Sequence, residues 1–150
     1  MVRWSEFEGS ALEMAEAGRT LFTQYGVGLG FLATVRPDGG PRLHPMCPVL
    51  AEGGLYAFIV PSPKQRDLLR DGRYAMHAFT PEDVDDEFCV MGRAFPIEPG
   101  SLRDTLVAGY HWVIPEGSTL FEFDVESALL SRYRRRGDWP PTYTVWKAPG

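Results

Sequence analysis

Apolar residues recur every three or four positions along the first part of the chain. Gly26, Gly28 and Gly30 come directly after this pattern and just before the first predicted strand. A dinucleotide-binding loop needs a strand before its glycines and a helix after them. Because the order here is reversed, the glycines predict a helix end and a flexible approach to that strand. The three-to-four spacing of apolar residues before these glycines predicts one amphipathic helix. Its apolar positions are Trp4, Phe7, Ala11, Met14, Ala15, Leu21, Phe22 and Tyr25.

Most of the remaining chain predicts β-strands joined by tight turns. Pro37–Gly40 has good hairpin chemistry and Glu52–Gly54 reverses the chain again, so consecutive strands are expected to pair antiparallel. Ser127–Tyr133 either continues the strand before it or forms a helix. The predicted strands are Phe31–Arg36, Pro41–Leu50, Leu55–Val60, Arg73–Phe79, Phe88–Ile97, Thr119–Val125 and Thr142–Lys147.

Two short helices are predicted among the strands, one beginning after Ser62 and one over Pro99–Tyr110. Pro45 and Pro48 cannot donate to a strand ladder, so the strand that contains them must be an edge, be bulged or line a cavity. There is no alternating βαβ rhythm, and six or seven antiparallel strands close most economically as a small barrel. We therefore predict a mainly β fold and a single domain over residues 1–150.

Composition and charge narrow the class of protein. The chain is 44% hydrophobic and has a formal net charge of −5. The negative net charge disfavours a nucleic-acid partner. No apolar run approaches the roughly 20 residues of a membrane span, and the N-terminus lacks the apolar core of a signal peptide. Cys47 and Cys89 lie far apart among apolar residues, which favours free thiols over a disulfide. We expect a soluble, cytoplasmic protein.

One turn combines a well-formed helix start with unusual charges. Ser62 is a good N-cap, Pro63 suits the first helical position and Gln65 completes a Ser-x-x-Gln capping box. Lys64 and Arg66 lie in the first turn, where the helix dipole disfavours cations. Two cations beside free backbone N–H groups suit a bound anion such as a phosphate. On these residues alone, a plain capped helix and a phosphate site both stay open.

The chain shows no obvious catalytic group of its own. It has no Gly-x-Ser-x-Gly nucleophile elbow. His44, His77 and His111 lack the close spacing of a zinc motif, so no metal site is predicted. His44 shares a predicted strand face with Arg42, and a neighbouring strand leads to Ser62. A bound cofactor is then the natural source of any chemistry.

Two segments carry a family resemblance. They are the hairpin Phe31–Arg42 with its Thr-x-x-Pro-Asp-Gly turn, and the helix start Ser62-x-Lys64-x-x-x-Leu68-x-x-Asp71-x-Arg73. Together they resemble the pyridoxamine 5′-phosphate oxidase-like family of FMN-binding split β-barrel proteins. The resemblance implies a six-stranded antiparallel split barrel with an N-terminal helix and two short helices. It also implies a homodimer that holds FMN, or the deazaflavin F420, at the subunit interface.

The resemblance further implies which residues hold the cofactor. In that family the Ser-x-Lys turn grips the phosphate, the preceding strand lies beside the isoalloxazine, and the second hairpin strand contributes a cation and backbone contacts. An arginine is typical of the oxidase at the position of His44. No catalytic residue is assigned. The implied cofactor-binding residues are His44, Pro45, Met46, Phe58, Ile59, Val60, Ser62, Lys64 and Gln65.

The implied function is an FMN- or F420-dependent oxidoreductase that transfers a hydride to or from a small organic substrate at the dimer interface. The oxidase itself ends in a Glu-Phe-Trp segment followed by an Arg-Leu-His signature. Here Glu122-Phe123 is followed by Asp124, and neither the tryptophan nor the Arg-Leu-His signature is present. Vitamin B6 oxidation is therefore not expected. The alternative is a non-catalytic protein that sequesters flavin or haem on the same barrel, with His44 or His77 as an axial haem ligand.

Overall fold

The computed structural model describes residues 1–150, and its N-terminal region contains two helices rather than one. Helix α1 spans Trp4–Ser10 and α2 spans Leu12–Phe22. The prediction of a single helix was wrong because Ala11 leaves the helical region, with φ −146° and ψ 59°, just after the weak helix formers Gly9 and Ser10. The break lets both helices place their apolar faces on the same core. No helix in the structure has the length and apolarity needed to cross a membrane.

Nine strands and two further helices follow. The predicted strand over residues 41–50 is divided, and the ambiguous segment after Val125 is a strand. The strands are β1 Gly30–Val35, β2 Pro41–Met46, β3 Val49–Ala51, β4 Gly54–Ile59, β5 Arg73–Ala78, β6 Glu87–Ile97, β7 Thr119–Phe123, β8 Ser127–Arg132 and β9 Thr142–Lys147; helix α3 spans Pro63–Arg70 and α4 spans Ser101–Ala108.

The strands close into the predicted six-stranded antiparallel barrel. Pairing runs in the order β2-β1-β5-β6-β7-β4-β3. Strands β2 and β3 are one run of chain interrupted at Cys47 and Pro48, and Pro48 has no N–H for a ladder. Because β2 and β3 are consecutive in the chain yet pair at opposite ends of the path, the sheet curls into a split barrel. The first half of β6 also pairs with β8, and β8 with β9, so two strands extend the sheet beyond the barrel.

The main core fills the barrel and the space under α1 and α2. A cluster of 24 buried residues forms it. Phe88 of β6 lies at its centre, with ring centroids 6.1 Å from Trp4 and 5.5 Å from Phe22. A Cβ at Gly18 would lie 2.4 Å from the Phe88 ring, so α2 packs directly on β6. A smaller cluster, Tyr56, Leu106 and Leu120, lies under α4 on the opposite face of β4 and β7.

A partly buried charge network ties the N-terminus to the barrel wall. Arg3 Nε donates to Glu122 Oε2 at 2.7 Å, and Arg3 Nη2 donates to Tyr56 Oη at 2.7 Å. The same guanidinium donates to the carbonyl of Glu52 at 3.1 Å. Glu122 is only 5% exposed, and a carboxylate at that depth needs such a partner. The network therefore holds α1 against β4 and β7.

Candidate functional site

Helix α3 begins as the sequence predicts. Ser62 is extended and its hydroxyl accepts a hydrogen bond from Gln65 N at 3.3 Å, while donating to Val60 O at 2.7 Å. The Gln65 side chain does not complete the predicted capping box. Its amide nitrogen instead donates to the carbonyls of Ile59 and Gly117, both at 2.9 Å. At 9% exposed, this side chain fastens the helix start to β4 and to the segment before β7.

The first turn of α3 carries unpaired positive charge. The helix has no acidic residue in this turn, and its buried carboxylate, Asp67, is paired with Arg42 and Arg70 instead. Lys64 and Arg66 consequently form no ion pair, and the backbone N–H of Lys64 has no hydrogen-bond partner in the chain. A free N–H at a helix N-terminus beside a half-buried ammonium group is a suitable environment for an anion.

Asp67 fixes α3 against the first two barrel strands. Its Oδ2 accepts from Thr34 Oγ1 at 2.8 Å and from Arg42 Nε at 2.7 Å, and its Oδ1 accepts from Arg70 at 3.2 Å. Burial alone would raise the pKa of the Asp67 carboxyl, but the hydrogen bonds from Arg42, Thr34 and Arg70 outweigh it and lower the pKa below its ordinary value. Asp67 thus links α3, and with it the first turn of that helix, to β1 and β2.

One charged contact joins strand β2 to α3. Arg42 contacts Asp67 in the middle of α3. Farther along, burial raises the pKa of the Cys47 thiol, and the nearby positive charge of Lys64 partly opposes this rise. His44 lies on the same strand face as Arg42, two residues farther along β2 and opposite Leu32. Cys47 and Lys64 lie close enough for the lysine charge to act on the thiol.

Four other predicted cofactor-binding residues lie in the core, on the outer sheet face or just after β4. Met46 is 7% exposed and Ile59 1% exposed, both in the main core. Pro45 lies on the outer sheet face, opposite Phe31. Val60 follows the end of β4 and its carbonyl is taken by Ser62. Of these four, only Val60 both adjoins the turn and is exposed.

Phe58 lies under residues that sequence reasoning missed. Its ring meets Tyr110 at a centroid distance of 4.9 Å, and the guanidinium carbon of Arg103 lies 5.8 Å from its centroid. Burial, and to a smaller extent Cys47, raises the pKa of the Tyr110 hydroxyl. Tyr110 therefore packs on Phe58 and lies within electrostatic reach of Cys47. The aromatic run Tyr110-His111-Trp112 is a usable signal in the sequence, where Tyr110 is the last residue of the predicted helix at 99–110.

A cavity of about 650 Å³ opens beside this cluster. Its wall includes Arg103 at the end near Phe58, and Gly117, whose carbonyl accepts from Gln65. A larger cavity of about 800 Å³ lies elsewhere, between α2 and strands β8 and β9. Three carboxylates and one guanidinium line that larger cavity, so it suits a phosphate less well than the α3 turn does.

The outer face of the sheet formed by β2, β1, β5, β6, β8 and β9 is apolar and uncovered. Phe31 is 39% exposed, Leu43 66%, Met91 43% and Val145 61%, and no helix packs on these side chains. His77 lies on this face opposite Phe31, with Nε2 3.4 Å from Glu87 Oε2. His44 pairs with Leu32 on the inner face. The two histidines therefore lie on opposite sides of the sheet.

No sequence-family model matches the chain, and no curated protein matches it in sequence. Solved structures do. A NimC/NimA family protein from Clostridium acetobutylicum superposes with a TM-score of 0.64 at 14% identity, covering 89% of this chain and 92% of its own. A protein of that organism related to general stress protein 26, of the pyridoxine phosphate oxidase family, superposes with a TM-score of 0.62 at 12% identity, covering 95% of both chains.

A haem-binding protein from Mycobacterium smegmatis shares the same architecture. It superposes with a TM-score of 0.64 at 16% identity over 87% of this chain, which spans only 57% of that protein. At these identities the likeness concerns the fold. The fold predicted from the hairpin and the Ser-x-Lys helix start is confirmed, since the chain adopts the split barrel of the pyridoxine phosphate oxidase-like proteins.

Proposed function

We propose that this protein is an FMN-dependent oxidoreductase that works as a homodimer. The observation that carries the proposal is the first turn of α3, where Lys64 has a free backbone N–H and an ammonium group without an ion-pair partner. Such a turn suits the phosphate of a flavin nucleotide. A flavin bound there would supply hydride chemistry that no side chain of the chain can supply.

The residues fit the phosphate end of the cofactor well. Lys64 offers its ammonium and its backbone N–H, and His44 offers an imidazole. An imidazole binds phosphate less firmly than a guanidinium fork does, so Lys64 should contribute most of the affinity. Ser62 already donates to Val60 O, and its main role is then to cap the helix and present the Lys64 N–H.

The isoalloxazine ring of the cofactor would not stack on the side chains of β4. Ile59 is in the core, and the Phe58 ring is covered by Tyr110 and Arg103. The backbone at the end of β4 and the exposed Val60 remain for the isoalloxazine. The same geometry would accept F420, whose deazaflavin ring is also planar, and the substrate would be a small organic hydride donor or acceptor.

The apolar outer sheet face supports the homodimer. Contiguous exposed apolar side chains from several strands mark protein–protein contacts. Replacing Phe31 with glutamate should convert a dimer into a monomer, because its 39% exposed ring lies within this face. Size-exclusion chromatography with light scattering would measure this. A Trp139→Glu variant is the matched control, since Trp139 is exposed in the loop before β9.

The direct test is a titration of the purified protein with FMN and with F420, followed by visible absorption and fluorescence. We expect binding in the micromolar range or tighter, followed by reduction of the bound cofactor by a hydride donor. Pyridoxamine 5′-phosphate should not be oxidised. If neither cofactor binds at micromolar concentrations, the proposal is wrong.

A haem-binding or flavin-sequestering function is the second candidate, favoured by the fold similarity to the M. smegmatis haem-binding protein. His44 and His77 lie on opposite faces of the sheet, so one haem cannot be ligated by both within a single chain. A Soret band lost in only one of His44→Ala and His77→Ala would identify this function. A flavin that binds tightly but is never turned over would indicate sequestration.

A further inference from the structure

The cavity beside α4 is lined by aromatic rings that the cofactor proposal does not use. Tyr110 meets Phe58 edge-on, and Trp112 meets Tyr110 at a centroid distance of 5.8 Å with an interplanar angle of 71°. Trp112 is 52% exposed and Val113 93% exposed, so apolar surface remains open to solvent here. The volume of about 650 Å³ falls within the range of about 300–1,000 Å³ that is typical of small-molecule sites.

Arg103 gives this cavity an uncompensated positive charge. The guanidinium makes one long hydrogen bond, 3.5 Å to the carbonyl of Ser118, and lies over the Phe58 ring. It forms no ion pair, although Glu116 also lines the cavity. Arg103 is half-buried whereas Glu116 is exposed and solvated. The charge that gains most from a ligand of opposite sign is therefore that of Arg103, whose planar fork matches a carboxylate.

The cavity adjoins the first turn of α3. Gly117 in its wall accepts a hydrogen bond from Gln65, and a Cβ at Gly117 would lie 2.9 Å from Pro61. On the other side, Tyr110 lies near Cys47, which in turn lies near Lys64. A ligand in the cavity would thus be next to a nucleotide held at the turn, without competing for Lys64.

We propose that this cavity binds a planar aromatic anion, with its ring against Tyr110 and Trp112 and its acidic group on Arg103. That this ligand is the substrate of the enzyme rests on the proposed function above. The binding itself does not, because none of the three residues belongs to the α3 turn.

The test uses two probes of similar shape, 2-naphthoate and the neutral 2-naphthalenemethanol, with equilibrium dialysis against the full-length protein. The wild type should bind naphthoate at least about tenfold more tightly, since hydrogen bonds to charged groups contribute that much or more. Arg103→Gln should abolish this preference while the alcohol still binds, and Arg103→Lys should keep part of it. Trp112→Ala should weaken the binding of both probes.

Two matched controls complete the design. Arg134→Gln removes a guanidinium that is 89% exposed in a different loop, and Trp139→Ala removes an indole that is 74% exposed outside the cavity; neither should change binding. Equal binding of both probes to the wild type, no binding of either, or a preference that survives Arg103→Gln would overturn the proposal. Naphthoate binding by a protein that binds no flavin would refute the proposed function and leave the cavity assignment standing.

Discussion

Replacing Asp67 with alanine should both destabilise the protein and loosen the first turn of α3. The carboxylate is 1% exposed and receives hydrogen bonds from Thr34, Arg42 and Arg70 at 2.8, 2.7 and 3.2 Å. Removing it leaves the Thr34 hydroxyl and the Arg42 guanidinium without this acceptor, whereas Arg70 keeps its hydrogen bond to the carbonyl of Val35. Because these groups join the middle of α3 to β1 and β2, the effect should reach Lys64.

The magnitude follows from the exposure of the partners. Breaking a fully buried ion pair costs about 3–5 kcal/mol, but the Arg42 and Arg70 side chains are 25% and 40% exposed and can recover solvation. We therefore expect a loss of about 2–3 kcal/mol in the free energy of unfolding. Asp83→Ala, which removes an exposed carboxylate from the loop before β6, should leave stability unchanged.

Urea denaturation of Asp67→Ala, Arg42→Ala and the double variant would measure the loss and the coupling between the two residues. The folded-state pKa of Asp67 lies below the unfolded value, so its stabilisation is present above about pH 4 and is lost as pH falls through the folded pKa. The gap between wild type and variant should therefore narrow in acid. A loss under about 1 kcal/mol at pH 7, in the range of an exposed pair, or a gap independent of pH, would refute this reasoning.

Three further results are expected. Gly28→Ala should strongly destabilise the protein, because the new Cβ would lie 1.8 Å from the carbonyl oxygen of Pro48. Gly9→Ala, whose Cβ would have nothing within 4 Å, should instead stabilise α1 by up to about 1 kcal/mol. Thermal unfolding measures both effects. Glu122→Gln should lower stability by about 1–2 kcal/mol, checked by urea denaturation, since it weakens the 2.7 Å pair with Arg3. Burial raises the pKa of Cys47, so native protein should react slowly with a disulfide reagent near pH 8 and rapidly once unfolded.

The barrel was predictable because its signals are local. Strand alternation, the hairpin turn at 37–40 and the Ser62 cap each depend on residues close in sequence. The break at Ala11 was not predictable from periodicity, since both halves keep apolar faces toward one core. The same holds for β8, because the short apolar run Ala128–Leu130 does not by itself distinguish a strand from a helix.

The candidate site was predictable only in part, for a different reason. The turn at Ser62 and Lys64 depends on local capping chemistry. The side-chain directions of Met46 and Ile59, which enter the core, depend on barrel register, and the use of Gln65 to bind Gly117 depends on a contact across 52 residues. Tyr110 and Arg103 come to the site only through the packing of α4 on β4. This contact joins segments that are distant in sequence, so no local pattern reveals it.

The central claim is that Lys64 and the start of α3 hold a phosphate. Riboflavin has the same ring system as FMN and lacks the phosphate, so the ratio of their dissociation constants isolates the contribution of this turn. The wild type should prefer FMN by at least about tenfold, and Lys64→Ala should lose most of that preference. Lys147→Ala, which removes the chain's other lysine, should keep it. Equal affinity of the wild type for FMN and riboflavin, or an unchanged preference in Lys64→Ala, would contradict the account.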